Sequence, residues 1–160
     1  MTVFYSNASL REIALGQVVN RVTAVPPTAA QSPQNLFTVT GGRILLVGIV
    51  GEVTTVIGGN AQTLALDYLS STGGASAIHL ASASGSIATY AVGVHFTLNT
   101  TAGGAVVDDH ATGSGVVLPN VRYVLPAGNV TLTSSATNTG SIKWDLFYVP
   151  LDVGTAVVAA

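Results

Sequence analysis

The chain has 160 residues, no cysteine, 8% charged residues and a formal net charge of −2. That length suits one domain with a core needing no staple. Missing thiols exclude disulfide scaffolds, thiol nucleophiles and cysteine-ligated metals, and so weak a field excludes holding nucleic acid by phosphate neutralisation.

Residues 1–35 read as an N-terminal arm or linker. Ser9-Leu10-Arg11-Glu12 is a capping-box pattern, and Gly16 closes a short helix predicted over Leu10–Leu15. Three prolines within Val25–Pro33 remove backbone donors and favour an extended polyproline-like course. From Leu36 the apolar period becomes two. Strands are expected over Leu36–Thr40, Arg43–Ile57, Ala61–Leu69, Ala77–Ala81, Tyr90–Leu98, Val116–Leu118, Arg122–Leu125, Asn129–Ser134 and Ser141–Leu151, separated by Gly- and Ser-rich turns. The clearest alternation sets Tyr90, Val92, Val94, Phe96 and Leu98 against Ala91, Gly93, His95, Thr97 and Asn99. Asp152–Ala160 reads as a small-residue tail. The pattern predicts an all-β fold, an antiparallel β-sandwich of jelly-roll type over residues 36–151, carrying the extended arm. The longest apolar run, Ile44–Gly51, falls far short of the ~20 residues of a spanning helix. Met1–Tyr5 lacks the basic-then-apolar signature of a signal peptide. No membrane partner is expected, and synthesis is expected in the cytoplasm.

Chemistry-bearing motifs are sparse. The three histidines, His79, His95 and His110, lack the spacing that brings two imidazoles to one ion. Asp108-Asp109-His110 reads as a solvated loop between Gly-rich stretches. No nucleophile elbow and no phosphate-cradling glycine loop occurs, so no enzyme, catalytic residue, cofactor or metal is expected. Trp144 and Tyr148 share a face with Ile142 and Leu146 and read as core, whereas a sugar-stacking platform would need them exposed. Ser, Thr, Asn and Gln must supply most of the polar surface. Neutral groups of this kind lie against neighbours at lower desolvation cost than charges, and a near-zero net charge favours association. Much of the surface is therefore expected to be covered by other subunits.

Three segments carry a resemblance: Phe37–Leu46, Val50–Thr55 and Thr137–Asp152. Their strand wording is similar to that of small virion proteins of tailed bacteriophages, and within that group the chain resembles capsid decoration, or cement, proteins over residues 34–155. The resemblance implies a β-rich, non-enzymatic structural protein on the outside of the virion head. It would bind the major capsid protein as a homo-oligomer, a trimer, and stabilise the shell. It supplies no active-site motif. An extended arm suits contact with the capsid or an adjacent subunit, which singles out Arg11, Arg21, Val25, Pro26 and Pro27. The alternative reading is a carbohydrate- or receptor-binding β-sandwich module of a tail or fibre.

Overall fold

The computed structural model describes residues 16–25, 27, 33–71, 76–111, 113 and 115–160. They form an all-β sandwich of two six-stranded sheets. The strands are β1 (Gln17–Val25), β2 (Gln34–Thr40), β3 (Ile44–Thr55), β4 (Leu64–Ser70), β5 (Ile78–Ser82) and β6 (His95–Thr97). They continue with β7 (Gly103–Ala105), β8 (Val107–Asp108), β9 (Tyr123–Leu125), β10 (Gly128–Ser134), β11 (Ser141–Pro150) and β12 (Ala156–Ala159). One sheet has the order β1-β11-β3-β6-β8, with β9 also on β3; the other has the order β12-β2-β10-β4-β5-β7. All pairings are antiparallel except β5 with β7. Every connection but β4–β5 and β8–β9 passes from one sheet to the other.

The period-two pattern produces the core directly. On β11, Ile142, Trp144, Leu146 and Tyr148 point inward and are buried, while Lys143, Asp145, Phe147 and Val149 face out. Across the strand pair Trp144 opposes Gly51, and the indole lies on the glycine: a Cβ there would stand 2.7 to 2.9 Å from three ring carbons. A glycine inside this strand is the device that lets a backbone and a large ring approach. On β3 the inward set runs Ile44, Leu46, then Ile49, Gly51 and Val53. The change of phase is a bulge, because Phe147 pairs Gly48 and Tyr148 pairs Leu46, leaving Val47 as the extra residue. Arg122 Nη1 donates to the Val47 carbonyl at 2.8 Å, and Leu118 packs over Gly48. Residues 115–122 are thereby fastened across the outer face of this sheet.

The sandwich is larger than the span 36–151. Residues 17–25, expected in the arm, form β1 and pair with β11 from Gln17–Tyr148 to Val25–Ile142. The prolines that argued for an arm all lie beyond Val25, so they mark where β1 ends. Residues 156–159, expected in the tail, pair with β2 as β12. The helix expected over Leu10–Leu15 lies outside the described residues. The alternation of residues 90–98 yields a strand only at His95–Thr97. Thr89 and Gly93 have φ of +65° and +89°, which breaks an extended course. Tyr90, Val94, Phe96 and Leu98 are nevertheless buried. Val116–Leu118 is also not a strand.

Candidate functional site

The outer faces of the two sheets differ in chemistry. On the β4-β10-β2 face, Thr38 Oγ1 bonds Asn129 Oδ1 at 2.9 Å, Thr133 Oγ1 donates to Asp67 Oδ2 at 2.7 Å, and His79 Nδ1 lies 2.5 Å from Asp67 Oδ1. It is a network of hydroxyl, amide and carboxylate groups that satisfy one another. The β1-β11-β3 face is split. At one end Lys143 opposes Glu52, lies 3.8 Å from Asp145, and Asp145 accepts from Asn20 Nδ2 at 2.7 Å. At the other end Val18 opposes Phe147, Val149 opposes Leu45, and Leu45 opposes Val124. Val18 is 49% and Val124 57% exposed. Apolar residues therefore face outward across four adjacent strands, exposed at Val18 and Val124 and half-buried at Phe147, where Leu118 and Arg122 lie over Gly48 and Val47.

A second cluster gathers around Asp108-Asp109-His110, expected to be a solvated loop. It is instead anchored in the domain. Asp109 is 4% exposed and accepts from the His95 amide at 2.7 Å and the Gly115 amide at 2.9 Å, with His95 Nδ1 at 3.2 Å. Burial raises the affinity of its carboxyl for a proton, but these donors outweigh burial and hold it below its ordinary value of 3.8. Asp108 takes the Tyr90 hydroxyl at 3.0 Å, and His110 Nδ1 lies 2.5 Å from its other oxygen. Burial, then the hydrogen bond to Asp108, pushes the Tyr90 phenol well above its usual value. All three histidines thus pair with an aspartate; only Asp108 and His110 are near in sequence, whereas the other two pairs are 12 and 14 residues apart and have no local motif. Among the described residues no group of three His, Cys, Asp or Glu converges as for a metal ion. No protein-family model, curated protein or solved structure matches the chain.

The five contact residues named from the arm are not brought together as one surface. Arg21 opposes Trp144 and its Nε donates to the Ala160 carbonyl at 2.8 Å, joining the two sheets along one edge. Burial lowers the pKa of its guanidinium. Val25 pairs with Ile142. Pro27 is buried, and its carbonyl accepts from Gln62 Nε2 at 2.9 Å and the Asn138 amide at 3.0 Å. These three are engaged within the domain and are not free for a partner through those groups. Arg11 and Pro26 lie outside the described residues. The outward apolar end of β1, β11, β3 and β9 was missed, although Phe147 and Val149 interrupt the polar face of a strand whose inward face was read correctly.

Asp152 accepts from the Arg43 amide at 2.8 Å and from its Nη2 at 2.8 Å. The hydrogen bonds from Arg43 bring its carboxyl down to about 2. For Asp109 and Asp152 alike the folded carboxyl holds its proton less tightly than the unfolded one, so their contribution to stability is full above 3.8 and drains as pH falls toward 2. Urea midpoints are expected to drop through that window. Asp109→Asn should lower the neutral-pH midpoint and flatten part of the acid slope; a slope identical to that of the unsubstituted protein would show that Asp109 is not a source.

Proposed function

We propose that this protein is a non-enzymatic virion structural protein of a tailed bacteriophage: a capsid decoration, or cement, protein. It binds the major capsid protein on the outside of the head as a homo-oligomer, a trimer, and stabilises the shell. In this reading it is made in the host cytoplasm and ends on the capsid exterior. The orders β1-β11-β3-β6 and β2-β10-β4-β5, with connections crossing between them, read as a jelly roll, an architecture of viral capsid and lectin domains. A fold of this kind hosts several functions, so it supports the reading without carrying it. The observation that carries it is the outward apolar end of the β1-β11-β3 sheet on a chain with 8% charged residues. Aromatic and aliphatic residues free of charge form the desolvated centre of protein interfaces, and many such weak contacts add through multivalency on a shell.

The carbohydrate-module alternative, as it rests on Trp144 and Tyr148, loses its platform, since these rings are 0% and 4% exposed. Mass spectrometry of purified virions, with the copy number per major capsid subunit, tests the main reading. Many copies per head together with a stable oligomer by light scattering are the expected result. A monomer at micromolar concentration that is absent from virions overturns it.

A further inference from the structure

A cleft of about 400 Å³ lies beside the Asp108-His110 cluster, away from the outward apolar face, and is lined by Ser86, Thr89, Tyr90, Val94 and His110 among others. Its volume falls in the range of small-ligand sites. Four rings form a column leading to it. Trp144 stacks on Phe96 with centroids 6.2 Å apart, Phe96 on Tyr90 at 5.9 Å, and Tyr90 on His110 at 4.4 Å with planes 18° apart. The first three rings are buried; the His110 side chain is half exposed. Its Nδ1 edge is fixed by Asp108 Oδ1 at 2.5 Å and the Tyr90 hydroxyl at 2.8 Å. The column therefore ends in an imidazole whose orientation is set before any ligand arrives, which lowers the ordering cost of binding.

Thr89 provides the second, independent observation. Its φ of +65° makes it the one non-glycine in the left-handed region among the described residues. A β-branched side chain there is strained, and such strain concentrates at functional positions. The backbone bond that holds the turn, Thr89 N–H to the Gly58 carbonyl at 3.0 Å, would form equally well with glycine. The fold has no need of the hydroxyl, which is spent only on the neighbouring Ala88 carbonyl at 2.6 Å and keeps acceptor capacity. Ser86, also exposed, offers a second hydroxyl to the same space.

The lining contains no carboxylate, lysine or arginine, and the nearest carboxylate, Asp108, is occupied by Tyr90 and His110. A charged ligand would find no counter-ion. A neutral ring with an apolar face and hydroxyl edges fits every group present. We propose that this cleft is a binding site for a neutral pyranose sugar, whose C–H face lies on the His110 side and whose hydroxyls bond Ser86 and Thr89. The site is separate from the surface invoked for head binding and stands or falls without it.

The test is an NMR titration of the ¹⁵N-labelled full chain with the methyl glycosides of glucose, galactose, mannose and N-acetylglucosamine. Expected is a saturable shift of the Thr89, Ala91 and His110 amides with at least one sugar. Ser86→Ala and His110→Ala should each weaken it by roughly tenfold. Thr89→Gly should raise the melting temperature while weakening binding to a similar degree; a purely structural Thr89 would raise it and leave binding untouched. No saturable shift with any of the four sugars, shifts confined to another surface, or binding unaltered in all three variants overturns the proposal. Head binding measured on the same variants is expected to be unchanged, so the two readings fail separately.

Discussion

Trp144→Ala is expected to remove about 3–5 kcal/mol of folding stability, a large share of the 5–15 kcal/mol typical of a domain. The indole is fully buried and is the largest side chain in the core. It fills the space between Gly51 of β3 and Phe96 of β6, and alanine would leave that space as a cavity. Trp144→Phe should cost much less. It leaves a smaller void and removes Nε1, a buried donor that bonds no acceptor among the described residues. Gly51→Ala probes the same contact from the other side and should destabilise by roughly 1–3 kcal/mol through overpacking. Combined with Trp144→Phe its cost should shrink, since the two sites share one space. Urea midpoints at unchanged m values report these changes. The emission of the single tryptophan should be blue-shifted and shielded from iodide; a red-shifted, quenchable Trp144 would refute this account of the core.

Phe147→Asp is expected to weaken self-association and head binding by about a hundredfold or more, the scale at which a central interface residue is lost. The substitution should also cost the isolated fold about 1–3 kcal/mol, against under about 1 kcal/mol for aspartate at the exposed Val18, because Phe147 is half-buried and opposes Gly48, over which Leu118 packs. A carboxylate at that position would have to be stripped of water whenever the face is covered. Val18→Asp, one strand away, should act in the same direction. Leu69→Asp, on the outer face of the opposite sheet and 39% exposed, is the control and should leave assembly intact. Sedimentation equilibrium and binding to heads lacking the protein measure both quantities. Wild-type assembly by Phe147→Asp would remove the surface on which the proposed function rests.

The parts of this fold legible in the sequence are those whose signal is local. The strand expected over Ser141–Leu151 appears as Ser141–Pro150, and its inward stripe of Ile142, Trp144, Leu146 and Tyr148 is buried as read. The strand Gln17–Val25 was obscured because the prolines just beyond it dominated the composition of residues 1–35, while its partner β11 lies more than a hundred residues away. The alternation at 90–98 carried the burial of Tyr90, Val94, Phe96 and Leu98 but not of Val92, which is 57% exposed, and it set Thr97, fully buried, on the wrong side, since two residues with positive φ redirect the chain. The site was less legible still. His95 meets Asp109 only because the chain returns on itself as β8 beside β6, and the cleft exists only where His110 is laid against Tyr90. Neither juxtaposition has a spacing rule. The bulge at Val47 had a partial signal in Gly48, a glycine inside an apolar run.

The pairing of Asn20 with Asp145 spans 125 positions of chain, and this has a consequence for synthesis. Ribosomes add about 5–20 residues per second, so β1 emerges on the order of 6–25 s before the strand that will satisfy its backbone. During that interval the nascent chain carries an unmatched β-ribbon, an open template for pairing with another polypeptide. Slower translation lengthens the exposure and a crowded polysome multiplies its targets. Recombinant yield of soluble material should therefore depend more on expression rate than on the stability of the finished sandwich.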